Sequence, residues 1–229
     1  MPLTTQEIEA LKKITSPSVA NAIETFKVRP REQGNVSSAI RALFPEMGPM
    51  VGYAVPCVIR AEAGPIEGHR ASTYGWWDYV LSIPAPRVIV VHDLDDPRGQ
   101  GAQWGEVQAN IHRALGCVGV ITDGSVRDLD AMAPNFIVLA GSIMPSHAHV
   151  HLVEYGGTVS VFGMVVSAND VIHCDRHGAV VVPYEVVEKI PAAVDLLTRR
   201  EKVLIQASKQ PGFSVDRLRQ AYKEQDDIH

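Results

Sequence analysis

Residues 104–128 read WGEVQANIHRALGCVGVITDGSVRD, and this stretch decides both the fold and the place of the chemistry. The apolar spacing of 105–115 predicts a helix that begins at Gly105-Glu106. Residues 117–122 (CVGVIT) predict a buried strand directly after it. The polar run 123–128 is then predicted to be a turn that returns close to the start of the helix. The stretch therefore predicts a polar site at the end of a strand.

Three groups in this stretch favour an oxo-acid ligand. The first backbone N–H groups of a helix lack intrahelical partners, so a helix start suits a carboxylate or a phosphate. Arg127 adds a guanidinium to that anion site, and Asp128 supplies a hard oxygen ligand for a divalent cation. A 2-oxo acid can chelate one cation through its carboxylate and keto oxygen. Spacing alone leaves a second interpretation open, a polar turn with a surface ion pair.

The rest of the chain predicts further strands and helices without strict alternation. Such a mixture favours layered α/β or α+β architecture over a doubly wound sheet. We predict one domain over residues 1–229, with a helical tail over about 184–229. Strands are predicted at 54–62, 87–92, 136–139, 147–154, 158–162, 171–173 and 179–182, and helices at 5–14, 16–26 and 184–207, with a short helix after Pro211-Gly212.

The central stretch resembles the signature of the RraA-like family, which includes 4-hydroxy-4-methyl-2-oxoglutarate aldolases and regulators of ribonuclease E activity. That signature is an acidic residue, twenty further residues and an Arg-Asp pair. Here it is formed by Glu106, residues 107–126 and Arg127-Asp128. Glu106 stands where the family usually has Asp, whose side chain is one methylene shorter.

The resemblance extends over most of the chain, because other segments match in the same order. These are residues 14–26, Gly52-Tyr53-Ala54, and Asp170 with 175–183. It implies an α/β fold, a layered β/β/α (α-β-β-α) sandwich of the RraA-like type, in a single domain with helical N- and C-terminal segments. It also implies a ring-like homotrimer, or a hexamer of two rings, with active sites between protomers.

The resemblance implies a role for each residue of the signature. Arg127 binds the substrate and stabilises the developing enolate oxygen, and Asp128 ligates Mg²⁺ or Mn²⁺. Glu106 holds a water molecule that belongs to the cation. The substrate carboxylate is held by backbone groups at the helix start, those of Gly105, Glu106, Val107 and Gln108.

An acidic residue from the C-terminal helix of a neighbouring subunit completes the site in the family's aldolases. Glu201 is the best match in this sequence, and Glu188 is a competitor. No lysine lies between Lys27 and Lys189, which argues against an aldolase that works through a lysine Schiff base.

The activity implied is a metal-dependent (class II) pyruvate aldolase. A 4-hydroxy-2-oxo acid such as 4-hydroxy-4-methyl-2-oxoglutarate loses its C4 hydroxyl proton to a base, and the C3–C4 bond breaks to give pyruvate and a second oxo product. Oxaloacetate decarboxylation passes through the same enolate. Two alternatives stay open: a non-catalytic regulator that binds an RNA-processing enzyme, and a metal-dependent lyase or decarboxylase acting on another oxo acid.

The segment 146–151 (SHAHVH) is the other unusual feature. On a strand, His147, His149 and His151 would share one face, which is the spacing of metal ligands. Three interpretations are open: a zinc site, a wall of the substrate pocket or an interface, and a structural role. Two shorter segments are candidates for contact with the ligand, His92-Asp93 at a strand end and His69-Arg70 as partners of a second carboxylate.

Composition excludes several classes of function. The chain has 229 residues, 46% hydrophobic and 21% charged, and its formal net charge of −5 disfavours a generally basic nucleic-acid binder. No apolar run of about 18 residues exists, so no membrane span is expected. The polar N-terminal segment lacks the apolar core of a leader, and a cytoplasmic location is expected. The expected partners are a small 2-oxo acid and further copies of the chain.

Overall fold

The structure is a computed structural model, and it describes residues 2–66, 68 and 70–229. His69 therefore lies outside the described residues. The helices are α1 (Thr5–Leu11), α2 (Ser16–Phe26), α3 (Thr73–Ser82), α4 (Glu106–Ala114), α5 (Ile190–Ser208) and α6 (Val215–Asp226). The strands are β1 (Arg41–Ala42), β2 (Met50–Arg60), β3 (Arg87–Asp93), β4 (Ala102–Trp104), β5 (Cys117–Val126), β6 (Ile137–Ile143), β7 (His151–Tyr155), β8 (Val159–Val161), β9 (Met164–Val166), β10 (Val171–Asp175) and β11 (Gly178–Val182).

Nine of these strands form one mixed sheet in the order β1-β6-β5-β3-β2-β10-β11, with β4 paired to β5 and β7 paired to β2. The central strands β2, β3, β5 and β6 run parallel. Strands β2 and β3 are almost continuously apolar and buried, as expected for parallel strands covered on both faces.

One continuous segment, residues 34–42, connects the two edges of the sheet by pairing with β11 at one edge and with β6 at the other, and we call it the closing segment. At its start, Val36 N donates to Ala179 O of β11 over 3.1 Å, and Val181 N donates to Gly34 O over 2.9 Å. At its end, β1 pairs antiparallel with β6. The sheet is therefore nearly closed into a barrel.

The two faces of the sheet pack against different layers. Val55 and Ile89 lie in a core cluster with residues of the helices, including Val19 of α2 and Ile190 of α5. Alternate residues of the same strands lie in a second cluster with the β8–β9 hairpin, in which Val161 and Met164 are fully buried. A small sheet, a large sheet and a helical layer are thus stacked. The predicted layered fold, a single α/β domain with helices at both ends, is confirmed.

Two segments differ from the sequence-based prediction. Residues 123–126 continue β5 rather than forming a turn, and the pairing with β6 shifts register between Thr122 and Ser125. The predicted strand at 147–154 is also wrong, because the strand begins only at His151. Ala148 has φ 46° and its N–H donates to the Ser146 hydroxyl over 3.0 Å, so the chain turns there.

Helix α3 and the short strands β1, β4 and β9 were not predicted. In α3 the aromatic run Trp76-Trp77 is typical of strands, but Ser72 caps the helix by accepting a hydrogen bond from Gly75 N over 3.1 Å. The helical tail is divided into a 3₁₀ turn, α5 and α6. Over the described ranges, no helix is both long enough and apolar enough to span a membrane.

Candidate active site

The site is built where the start of α4 meets the end of β5. Strand β4 leads into α4 and pairs parallel with β5, with Trp104 opposite Val126. The Arg127 N–H donates to the Trp104 carbonyl over 2.8 Å. These contacts hold the Arg127-Asp128 pair beside Gly105, the residue that precedes the helix. The predicted convergence of these two parts of the signature is confirmed.

Asp128 turns its carboxylate back toward the helix start. Its backbone is left-handed, with φ 54°, a conformation that Asp and Asn tolerate better than most residues. The Asp128 Oδ2 atom lies 3.4 Å from the Glu106 backbone nitrogen and 3.4 Å from Arg127 Nε. Gly105 offers no capping side chain, so the Asp128 carboxylate occupies the position of a cap contributed from a distant segment.

Both charged side chains of the pair remain accessible to solvent, at 35% for Arg127 and 40% for Asp128. Among the described residues, the Asp128 Oδ1 atom accepts no hydrogen bond. The carboxylate therefore keeps an oxygen that is available to a cation or a water molecule.

Glycine is needed at position 105 because of the close approach of Asp128 and Arg127, and not because of its backbone conformation. Its φ of −162° is ordinary extended backbone that any residue adopts. A Cβ atom at this position would collide with Asp128 Oδ2, and it would lie 3.1 Å from Arg127 Cγ. A side chain here would push the carboxylate away from the helix.

The first turn of α4 presents free donors to solvent. Ala109 N is the first to make the regular helical bond, with Gly105 O at 3.0 Å. The N–H groups of Val107 and Gln108 have no acceptor among the described residues. Val107 is 65% exposed and Glu106 is exposed, so a ligand can reach this turn from solvent.

His112 lies on the buried face of α4 and was not among the predicted site residues. Its Nε2 accepts a hydrogen bond from Trp76 Nε1 over 2.8 Å, and its Nδ1 donates to the Gln108 carbonyl over 2.8 Å. Burial lowers the pKa of His112 to about 4, so the ring is neutral near pH 7. Its spacing of three from the buried Ala109 is the sequence signal that could have placed it on the inner face.

A separate buried network surrounds Asp123. Its Oδ1 accepts from Asp93 N over 2.8 Å, and its Oδ2 lies 2.9 Å from His92 Nδ1 and 3.4 Å from Arg98 Nε. Asp93 in turn accepts from Gly99 N over 2.8 Å, and burial raises the pKa of Asp93. His92 and Asp93 thus contact Asp123, and no contact with Arg127 or Asp128 is found among the described residues.

This network belongs to a different opening of the molecule. Asp123 borders a cavity of 610 Å³ together with Arg98, Ser142 and Phe162 of the β8–β9 hairpin. The sequence signal for the network was the acidic run 93–96 directly after a strand, of which only Asp93 was among the predicted candidates for ligand contact.

The three histidines of 146–151 do not form the predicted face. His147 and His149 are exposed in the loop before β7, whereas His151 is buried and its Nδ1 donates to the His149 carbonyl over 2.9 Å. The described part of the chain contains no group of three or more His, Cys, Asp or Glu residues arranged to hold a metal ion. The zinc interpretation is therefore not supported.

Glu201 lies on the exposed surface of α5, and Glu188 is exposed in the 3₁₀ turn before it. Neither side chain makes an ion pair within the described ranges. The assignment of Glu201 to a neighbouring subunit's site stays a prediction.

Comparison with known proteins gives a consistent result. The family model RraA-like, described as Aldolase/RraA, matches residues 11–181. A protein of Methanocaldococcus jannaschii, MJ0644, is 30% identical over 165 residues, which are 63% of this chain and 79% of that protein.

Two solved structures share the fold. A protein from Pseudomonas syringae pv. tomato superposes with a TM-score of 0.74 at 20% identity, covering 97% of this chain and 96% of its own. Streptomyces coelicolor RraAS2, an unusual member of the RNase ES inhibitor RraA protein family, superposes with a TM-score of 0.68 at 17% identity, covering 92% and 99%. At these identities the superpositions show the fold alone.

Proposed function

The chain belongs to the RraA-like family, and from that premise we propose that it is a divalent-metal-dependent aldolase of 4-hydroxy-2-oxo acids. The family includes aldolases and decarboxylases as well as RNase E inhibitors, so membership alone does not choose between them. The proposed reaction cleaves a substrate such as 4-hydroxy-4-methyl-2-oxoglutarate to pyruvate and a second oxo product. The same site would decarboxylate oxaloacetate, because both reactions pass through the pyruvate enolate.

One observation carries this proposal: the Asp128 carboxylate, the Arg127 guanidinium and the free N–H groups of α4 meet in one accessible place. The carboxylate and the guanidinium are joined through Oδ2 and Nε at 3.4 Å, and Asp128 Oδ2 lies 3.4 Å from Glu106 N. Together these groups offer ligands for a divalent cation and for an anionic oxo acid at one place, which favours an enzyme over a regulator that acts only by binding.

The residues present fit a hard divalent cation such as Mg²⁺ or Mn²⁺. Mg²⁺ is typically held by one or two carboxylates and several water molecules, which matches one partly exposed Asp128 with the exposed Glu106 nearby. When bound, the cation supplies Lewis-acid polarisation of the substrate's 2-keto oxygen. Asp128 would ligate it, and Glu106 would hold one of its water molecules by a hydrogen bond.

The chain's own groups would bind and orient the substrate. The backbone N–H groups of Val107 and Gln108 would donate to its carboxylate at the positive end of α4. The Arg127 guanidinium would donate to the C2 oxygen, on which negative charge develops during the reaction. The backbone of Arg127 is held beside the segment before α4, because the Arg127 N–H donates to the Trp104 carbonyl.

The proton balance requires one base and one proton donor. The base accepts the C4 hydroxyl proton, the C4–O bond becomes a carbonyl, and the electrons of the C3–C4 bond pass into the enolate. Protonation of C3 then gives pyruvate. We assign the C4 proton to a water molecule oriented by Glu106, which is exposed at the helix start, and the same water molecule would return a proton to C3.

The proposal includes a ring-like homotrimer, or a hexamer of two rings, in which Glu201 reaches the site of the next subunit. Glu201→Gln should then lower turnover, whereas Glu188→Gln, a matched exposed glutamate, should leave it unchanged. Parent-like activity of Glu201→Gln would remove Glu201 from the site, and loss of activity in Glu188→Gln instead would assign the role to Glu188. Light scattering would give the oligomeric state.

The proposed function is tested by pyruvate release from oxaloacetate and from 4-hydroxy-4-methyl-2-oxoglutarate, with Mg²⁺, with Mn²⁺ and with EDTA. We expect turnover with either metal that EDTA and Asp128→Ala abolish. Absence of turnover by folded protein in the presence of metal would overturn the aldolase proposal. It would favour the non-catalytic regulator, or a lyase acting on another oxo acid.

A further inference from the structure

A cavity of 140 Å³ opens beside the start of α4, between α3, the β4–α4 junction and β7. We propose that this cavity binds a hydroxylated tail of the substrate beyond C4, so that the preferred substrates are 2-oxo-3-deoxy sugar acids or similar polyhydroxylated 4-hydroxy-2-oxo acids. This inference rests on the proposed function and specifies its substrate class. The side chains that carry it are Thr73, Trp76, Trp77, Gln103, Gln108 and His151.

The cavity and the proposed anion site share one residue of α4, Gln108. Gln108 is the third residue of the helix, and its backbone N–H is one of the free donors of the first turn. Its side chain lines the cavity, as does that of Gln103, two residues before Gly105. A ligand whose carboxylate is held by the Gln108 N–H would therefore lie next to a residue that lines the cavity.

An unpaired buried acceptor defines the chemistry of the ligand. The Gln103 Oε1 atom is buried and accepts no hydrogen bond from any described residue. A buried acceptor without a donor is unfavourable, and a bound ligand that brings a donor relieves this cost. A hydroxyl group brings one, whereas a methyl group or a carboxylate brings none.

The other walls suit a polyol in the same way. The Thr73 hydroxyl and the Gln108 amide can each donate and accept. The His151 Nδ1 is used by the His149 carbonyl, which leaves Nε2 without a partner among the described residues. Trp76 and Trp77 add apolar surface on which C–H groups of a ligand can pack.

The charge of the cavity wall must be weighed against the unpaired Gln103 acceptor, because a positive charge would favour a carboxylate tail. Arg70 is the one Lys or Arg side chain among the described residues of the wall, and no Asp or Glu is found there. Arg70 is exposed, whereas Gln103 Oε1 is buried and accepts no hydrogen bond from a described residue, so Gln103 favours a ligand group that donates.

The test compares three substrates that share C1–C4 and differ in the tail: 2-oxo-3-deoxygluconate, 4-hydroxy-2-oxoglutarate and 4-hydroxy-2-oxopentanoate. We expect kcat/KM for the polyol tail to exceed that for the methyl tail by about 100-fold, because a site built to bind a hydroxyl rejects an analogue that lacks it. Equal values, or a preference for the carboxylate tail, would overturn the proposal.

Variants at Gln103 test whether this residue sets the preference. Gln103→Leu should lower the polyol-to-methyl ratio of kcat/KM by about 30-fold, and Gln6→Leu, at an exposed position of α1, should not change it. Gln103→Glu keeps the acceptor and the shape, so it should keep the polyol substrate while lowering kcat/KM for the carboxylate tail. Unchanged ratios in both folded Gln103 variants would overturn the assignment.

A substrate without a tail distinguishes failure of this inference from failure of the proposed function. Exchange of the pyruvate methyl protons with D₂O needs only the enolate chemistry. NMR measures this exchange in a buffer that contains Mg²⁺ and no Mn²⁺. Exchange without tail selectivity would overturn the cavity proposal and leave the aldolase proposal intact. Absence of exchange together with absence of cleavage would overturn both.

Discussion

Asp123 and Asp128 belong to the same short stretch, residues 123–128, yet they have opposite surroundings. The Asp123 side chain is fully buried, and its two oxygens contact Asp93 N, His92 Nδ1 and Arg98 Nε. The Asp128 side chain is 40% exposed and has two contacts at 3.4 Å, both through Oδ2. One carboxylate has its acceptor positions occupied by the protein, and the other keeps one free.

This difference separates a structural acid from a candidate ligand within one sequence motif. A buried carboxylate must be paired or hydrogen-bonded, and Asp123 meets that requirement by fixing the loop that follows β3. The Asp128 carboxylate caps α4 through Oδ2 alone, which leaves Oδ1 accessible and without a partner among the described residues. Binding of a cation, beside an anionic substrate, would give that oxygen a role.

The largest expected effect is on catalysis at Asp128. Asp128→Asn keeps the left-handed backbone conformation and removes the charge that would ligate the cation, so we expect turnover to fall by about 1,000-fold with little change in melting temperature. Pyruvate release and thermal unfolding measure the two effects. Asp130→Asn, at an exposed position two residues later, is the control. Activity of Asp128→Asn within tenfold of the parent would break the comparison.

The next effect is on stability at Asp123. Asp123→Asn leaves His92, Arg98 and the Asp93 N–H with incomplete partners in a buried place, and we expect a loss of about 3 kcal/mol in the free energy of unfolding. Urea denaturation measures it. If Asp123→Asn cost less stability than Asp128→Asn, the assignment of the two roles would be reversed.

Gly105 offers a way to move the Asp128 carboxylate without changing its chemistry. In Gly105→Ala the new methyl group must displace Asp128 Oδ2, so we expect turnover to fall by roughly 10- to 100-fold, as for other residues that orient a ligand. Gly157→Ala is the matched control, because the nearest atom to its added Cβ is 4.0 Å away. Equal turnover of the two variants would show that the position of the carboxylate is not critical.

The last effect, which per pH unit is the smallest, concerns the helix that supports the site. Burial lowers the pKa of His112 from 6.5 to about 4 in the folded protein. Above about pH 6.5 the ring is neutral in both states and its contribution to stability is complete. As the pH falls, the unfolded chain binds the proton first, so stability is lost between about pH 6.5 and pH 4.

The slope of stability against pH measures this contribution. His112→Gln stays neutral and retains an acceptor and a donor, so between pH 6.5 and 4 its free energy of unfolding should fall less steeply, by up to about 1.4 kcal/mol per pH unit. His173, whose pKa burial also lowers, remains in both proteins and cancels in the difference. Parallel curves would contradict the assignment of a neutral, buried His112.

The sequence was most informative where local patterns coincide with the ends of elements. The start of α4 and the Arg127-Asp128 pair could be predicted, because a helix followed at once by a buried strand restricts where the chain can return. The occurrence of residues 123–126 within β5 could not, because it depends on the register shift between Thr122 and Ser125 against β6.

Alternation of residue types was the least reliable guide. The histidines at 147, 149 and 151 alternate as strand residues do, but the Ser146 side chain accepts from Ala148 N and favours a turn instead. The cavity beside α4 was beyond prediction for another reason. Its walls come from α3, β4, α4 and β7, and only the tertiary packing brings Trp76, Gln103 and His151 together.

The closing segment has a consequence for how the protein behaves in a crowded solution. A strand at the margin of an open sheet offers unpaired N–H and C=O groups to any other extended chain, which is a common route to amyloid-like association. Here residues 34–36 pair with β11, and residues 41–42 pair with β6 at the opposite margin. A single stretch of nine residues thus shields two edges of the sheet at once. Its loss would expose both edges to self-association and would leave the parallel centre of the sheet in place.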